Sequence, residues 1–172
     1  MIRKIAFTVL LSILLLPAAA LAGEDWKRFE FEPNGNKFAS RETTFDLFGS
    51  LKVSDDEDLA DGRLGVGLGV NHFFNRFLGV GADTRLEEVD WPDHFNGSVI
   101  GRYPVEQWGL APYAVLGFGR QFHETPQWTF HFGGGVDYRF NRKTGLFLDV
   151  RQTVADVSRD FVLFRFGVRL GF

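Results

Sequence analysis

At the C-terminal end of the chain, Val162, Phe164, Phe166, Val168, Leu170 and Phe172 occupy every second position. Leu163, Arg165, Gly167, Arg169 and Gly171 stand between them. A period of two marks an extended strand with two unlike faces. One face here is apolar to the last residue, and the other is lined with arginine and glycine.

Seven further segments repeat the alternation. In the first, Thr43, Phe45, Leu47, Gly49, Leu51 and Val53 oppose Asp46, Phe48, Ser50 and Lys52. In the second, Leu64, Val66, Leu68 and Val70 oppose Arg63, Gly65, Gly67, Gly69 and Asn71. The third sets Leu78, Val80, Ala82, Thr84 and Leu86 against Gly79, Gly81, Asp83, Arg85 and Glu87. Residues 95–103 form the fourth, in which Ile100 falls on the polar face and Pro104 ends the strand. The fifth sets Ala114, Leu116 and Phe118 against Val115, Gly117 and Gly119. The sixth alternates Trp128, Phe130, Phe132, Gly134, Val136 and Tyr138 with Thr129, His131, Gly133, Gly135, Asp137 and Arg139. The seventh opposes Leu146, Leu148 and Val150 to Phe147, Asp149 and Arg151, with residues 154–160 read as a loop.

Each of these strands is about 9 to 12 residues long, whereas strands of soluble domains run nearer 5 to 6. A tilted strand needs about 9 to 11 residues to cross a bilayer. Connectors after the second, fourth and sixth strands are tight. Those after the first, third, fifth and seventh are longer and more polar. Inside hydrocarbon only helices and closed barrels satisfy every backbone amide, and no mature segment is apolar for the ~20 residues a helix requires. The pattern therefore predicts an all-β fold, an eight-stranded antiparallel up-and-down transmembrane barrel over residues 43–172.

In such a barrel the apolar set faces lipid and the polar set faces the lumen. The predicted lumen charges are Asp46, Lys52, Arg63, Asp83, Arg85, Glu87, Arg102, Asp137, Arg139, Asp149, Arg151, Arg165 and Arg169. An arginine on the lipid face at mid-bilayer would cost roughly 2–4 kcal/mol. An eight-stranded lumen is just wide enough for side chains to fill, so long arginines need small neighbours. Gly65, Gly67, Gly69, Gly117, Gly119, Gly133, Gly135, Gly167 and Gly171 share the inward parity. Aromatic girdles are expected at both interfaces. Phe73, Phe74, Phe77, Tyr103, Trp108, Tyr138 and Phe140 lie near the tight turns, and Trp91, Phe95, Phe122 and Trp128 near the longer loops.

At the other end, Arg3 and Lys4 precede an apolar run over residues 5–16, and Ala20-Leu21-Ala22 fits a cleavage pattern. These features predict a signal peptide over residues 1–22 and an N-terminal extension over 23–42. Removing Arg3 and Lys4 would take the formal charge from -3 to -5, which argues against a nucleic-acid partner. The chain has no cysteine, so disulfides and thiolate metal sites are excluded.

The segments GRLGVGLGVNHFFNRFLGVGADTRL, GLAPYAVLGFG and HFGGGVDYRFNRKTGLFLDVRQ resemble the small outer-membrane β-barrel superfamily, which includes the transmembrane domain of outer membrane protein A. A polar Asn-Arg turn followed by a leucine-glycine strand occurs twice, at Asn75-Arg76 and Asn141-Arg142. Phe164, Phe166, Val168, Leu170 and the terminal Phe172 resemble the signal read by the outer-membrane assembly machinery. The resemblance implies an outer-membrane location with both termini periplasmic. It implies outer-membrane lipids, lipopolysaccharide included, as surroundings, and the assembly machinery as a partner in biogenesis. Members of this group serve as anchors, adhesins, narrow channels or lipid A modifying enzymes.

Chemistry is weakly signalled. His131 lies on an inward face, but Asp137 is six residues, roughly 20 Å, along the strand, and Thr129 is an unusual nucleophile. The lipid A deacylases of this group carry a lipid-facing histidine and serine two residues apart. His131 is followed by Gly133, Ser50 and Ser98 have no histidine at that spacing, and His72 has no serine beside it. For an acyltransferase, Ser54-Asp55, Ser158-Arg159-Asp160, His94 and His123 are loose candidates. The glycine repeats keep a period of two and are not phosphate loops. The acidic stretch 55–58 reads as a solvated loop rather than a calcium site. Eight basic against five acidic lumen groups is too small a bias to make an anion pore. The expectation is a monomeric, non-enzymatic barrel without metal or cofactor, with a structural, envelope-integrity or surface-interaction role. A lipid A enzyme, a narrow pore and a soluble lipocalin-like barrel with an apolar interior are the alternatives.

Overall fold

A computed structural model describes residues 37–54, 62–87, 94–122, 126–157 and 160–172. The expected signal peptide, residues 23–36 of the expected extension, the acidic stretch at 55–61, Trp91, His123, Ser158 and Arg159 lie outside these. The described residues form eight strands: β1 (Glu42–Ser54), β2 (Arg63–Phe73), β3 (Leu78–Leu86), β4 (His94–Arg102), β5 (Leu110–Gln121), β6 (Gln127–Arg139), β7 (Thr144–Ala155) and β8 (Phe161–Gly171). Each pairs antiparallel with its sequence neighbour, and β1 pairs with β8, so the sheet closes on itself. Closure leaves no strand edge unpaired, which is the condition for placing a sheet in hydrocarbon.

Alternation sets the two surfaces. Phe166, Phe118, Leu148 and Leu68 are exposed on the outer wall, with Phe166 at 68%. Asp137 and Arg139, on the opposite parity, are both at 0%. A soluble barrel reverses this arrangement, so the exposed apolar belt and charged interior exclude the lipocalin-like alternative. At the β1–β8 seam the belt stops short of the loop-side rim, where Val53 and Val162 pair on the outward parity yet are buried.

The tight turns share one end of the barrel. In both Asn-Arg turns the asparagine side chain caps the backbone. Asn75 Oδ1 accepts from the amides of Phe77 and Leu78 at 2.8 Å, and Asn141 Oδ1 accepts from those of Lys143 and Thr144 at 2.8 and 2.9 Å. Asparagine offers such a turn an acceptor on a short tether. Between β4 and β5 the chain makes one 3-10 turn over Glu106–Trp108, closed by Gly109 at φ 64°. Only glycine suits that position, because a Cβ there would lie 2.6 Å from the Arg139 carbonyl oxygen.

Three local expectations are corrected. β7 runs on to Ala155, beyond the predicted loop start. Phe73 does not join the girdle: it is fully buried inside, clustered with Ile100, Tyr113 and Val115. Ile100 breaks the polar pattern of β4 because it packs in this apolar layer of the interior. Arg63 has the inward parity but is exposed, because it begins β2 at the loop-side rim, where the wall opens toward solvent.

Candidate functional site

The barrel interior holds most of the charged side chains singled out from sequence, arranged in three tiers. Nearest the turns, Arg169 donates from Nε and Nη2 to Asp46 Oδ1 and Oδ2, both at 2.7 Å. Its Nη1 reaches Asp137 at 2.9 Å. Asp137 also accepts from Arg139 Nε at 3.0 Å. Glu42, absent from the predicted set because it precedes the first apolar residue of β1, takes Arg139 and Arg102, each at 2.8 Å. Asn71 Nδ2 donates to Asp46 at 2.9 Å and to Thr44 at 3.1 Å.

In the middle tier Asp149 accepts from Arg165 Nε and Nη2 at 2.9 and 2.6 Å and from the Tyr113 hydroxyl at 2.8 Å. Asp83 takes Arg151 at 3.0 Å, Arg165 at 3.2 Å and Asn96 at 3.1 Å. Nearest the loops, Glu87 pairs with Arg85 at 2.5 Å and Lys52 at 3.3 Å. Buried ions of this kind hold only when paired and hydrogen-bonded, and the forked arginine contacts supply both. With Arg63 outside and Glu42 inside, the basic surplus of the predicted set nearly closes.

Aromatic rings share the lumen with the ions. The Arg165 guanidinium lies 4.6 Å from the Phe48 ring centre, and that of Arg169 4.8 Å from Phe147. Glycines make the room. A Cβ at Gly117 would sit 2.7 Å from His131 Nε2, and one at Gly145 2.6 Å from Arg139 Cδ.

One contact was invisible to residue spacing. Ser98 Oγ lies 2.9 Å from His131 Nε2. Serine on β4 and histidine on β6 meet over Gly117 of β5, which pairs with both. Only the strand register reveals this. Both side chains are buried and face the lumen. His94 also lies inside, 3.5 Å from Arg85 and edge-on to Phe161. His72 lies on the outward parity, with Nδ1 3.0 Å from Thr43 Oγ1. No three metal-ligating side chains gather among the described residues.

Outside, Phe74, Phe77, Trp108, Tyr138 and Phe140 stand exposed at the turn end, and Phe95, Phe122 and Trp128 at the loop end. Arg120 joins the loop-side group, with its guanidinium 5.3 Å from the Trp128 ring and 5.7 Å from Phe122. Phe166, Val168, Leu170 and Phe172 are exposed on the outward face of β8, with Phe164 half-buried.

Among solved structures, the N-terminal barrel domain of Pseudomonas aeruginosa OprF superposes with a TM-score of 0.59 at 14% identity, covering 78% of this chain and 99% of that one. The fold is that of the eight-stranded outer-membrane barrels. Ail, the attachment invasion locus protein of Yersinia pestis, gives 0.51 at 16% identity over 77% of this chain and 99% of its own. A de novo designed transmembrane β-barrel gives 0.53 at 16% identity over 75% and 95%. That a designed barrel matches about as well as a natural one shows that the likeness reports architecture. No family model and no curated protein matches the sequence.

Proposed function

We propose that this chain is a monomeric, non-enzymatic outer-membrane barrel, exported by an N-terminal signal, with both termini in the periplasm of a Gram-negative cell. Its role is structural, in envelope integrity, or in interaction at the cell surface. The single observation that carries this reading is the interior. Arginine–carboxylate pairs tie β8 and β7 to β3, and β4 to β1, across the lumen, occupying the space a substrate or solute stream would need. Acyl chains, lipopolysaccharide included, meet only the apolar outer wall and its girdles. The terminal alternation of β8, ending on Phe172, serves the assembly machinery during insertion.

The Ser98–His131 contact favours a second reading, a lipid A hydrolase. Its orientation weighs against that reading, because the pair faces the lumen while acyl chains lie across the wall. A narrow pore is the third, and the crossing ion pairs weigh against it. Mass spectrometry of lipid A from cells with and without the gene separates the first two, since an unchanged acyl pattern is expected. Any acyl loss that disappears with His131→Ala would replace the proposal with the hydrolase. Planar-bilayer recording tests the pore, and the expected trace is free of discrete steps.

A further inference from the structure

The turn-side mouth of the barrel is occupied by the chain itself. Residues 37–41 precede β1, and Arg41 adopts a left-handed φ of 55°, so the chain reverses there instead of continuing away from the wall. The reversal puts Phe38 inside, at 0% exposure. The guanidinium groups of Arg102 and Arg139 lie 5.2 and 5.6 Å from its ring centre. Among the described residues, Arg102 Nη1 and Arg139 Nη2 are buried nitrogens without a hydrogen-bond partner. An aromatic face suits the unbonded edge of such a group, because its negative quadrupole attracts the cation there. Phe38 shares that role at Arg102 with Phe73, whose ring centre lies 3.6 Å away.

The backbone of the segment is held as well. Arg102 Nη2 donates to the Ala39 carbonyl at 3.2 Å and Arg76 Nε to the Phe38 carbonyl at 3.3 Å. Glu106 accepts from the Lys37 amide at 2.8 Å and pairs with Arg76. Arg76 belongs to the β2–β3 turn and Glu106 to the β4–β5 connector. Two turn-side connectors therefore also form a clasp over the segment. A folded-in segment with an aromatic stopper and an ionic clasp exceeds what strand geometry requires, since β1 is paired on both sides from Glu42 or Thr44 onward without it.

We propose that residues 37–41 are a tethered stopper, in which Phe38 seals the turn-side mouth over Arg102 and Arg139 while Arg76 and Glu106 clasp it. Withdrawal of the stopper opens the turn-side tier of the lumen to water and small hydrophilic solutes. The inference is independent of the role proposed above, because it concerns which end of the lumen can be reached.

The chain has no cysteine, so a single introduced thiol reports cleanly. Ala111 is fully buried on the inward parity of β5, on the strand between those carrying Arg102 and Arg139. The full mature chain carrying Ala111→Cys is refolded in detergent and treated with a charged methanethiosulfonate. Labelling should be slow with Phe38 in place and at least about tenfold faster with Phe38→Ala. Glu106→Gln, which weakens the clasp and keeps the ring, should give an intermediate rate. Thr153→Cys, inward near the loop side, should label at the same rate in all three backgrounds. Equal Ala111→Cys rates with and without Phe38→Ala would overturn the proposal. So would a parallel acceleration at Thr153→Cys, which reports general loosening. If Phe38→Ala does not refold, as judged by loss of its heat-modifiable gel shift, the Glu106→Gln rate decides, and no acceleration there sinks the stopper.

Discussion

Arg169 and Asp46 are cross-strand partners at the seam where the last strand meets the first, and they meet through two contacts of 2.7 Å. The pair is therefore both an ion pair and a closure element. β1 and β8 are the strands most distant in sequence, and their pairing completes the barrel. Removing one member of a buried pair costs about 3–5 kcal/mol, because it strands the other charge. Asp46→Asn should lower the unfolding free energy in detergent by that order. The double variant Asp46→Leu with Arg169→Met should lose less than Asp46→Asn alone. Urea titration followed by the heat-modifiable gel shift measures both, and a double variant weaker than the single one would refute the closure argument.

The inward glycines give a sharper geometric test. A Cβ at Gly65 would lie 2.8 Å from the Leu86 carbonyl oxygen and 2.9 Å from Ser50 Oγ, and one at Gly79 2.7 Å from both the His72 carbonyl oxygen and the Phe73 ring. At Gly101, which has the outward parity of β4, nothing lies within 4 Å. Overpacking of this kind costs typically 1–3 kcal/mol, whereas an unhindered alanine on a strand carries no such penalty. Gly79→Ala should therefore destabilise by about that amount and Gly101→Ala should be neutral within about 0.5 kcal/mol. Equilibrium unfolding of the two refolded variants side by side checks the contrast.

Ser98→Ala tests whether the lumen pair is structural. It leaves His131 Nε2 buried without its partner, at a cost of about 1–3 kcal/mol. The expected result is a lower urea midpoint together with an unaltered lipid A acyl pattern in cells. A changed acyl pattern with an unchanged midpoint would reverse that assignment.

The sequence was most legible where one residue type repeats on one parity. Leucine and valine on β2 and phenylalanine on β8 specify the outer wall, because a slip of one residue would put arginine in lipid. Parity does not say which inward residue meets which. Ser98 and His131 are 33 positions apart, and Arg169 and Asp46 are 123 apart. Those partnerships follow from register, which turn lengths set. Parity does not settle exposure at strand ends: Arg63 and Phe73 share the inward parity of β2, yet Arg63 is exposed at the loop-side rim while Phe73 packs inside instead of joining the girdle. The stopper was illegible for a different reason: Phe38 lies in a polar stretch with no period, and its seat is assembled from Arg76, Arg102, Glu106 and Arg139 on three separate parts of the chain.

The outer belt makes the last prediction, and it is depth-dependent. Leu148 lies in the middle of β7, paired with Val136 and Phe166, all three exposed and apolar. Phe140 lies beyond the end of β6, in the turn-side girdle, and is also exposed. If lipid surrounds this wall, an arginine at Leu148 must leave water entirely, whereas one at Phe140 can reach the headgroups. Leu148→Arg should cost roughly 2–4 kcal/mol and Phe140→Arg about 0–1 kcal/mol. The measurement is equilibrium unfolding in lipid bilayers rather than detergent, so that depth is defined. Equal costs at the two positions would mean that no hydrocarbon gradient runs along the barrel, and the membrane-spanning assignment would fail with it.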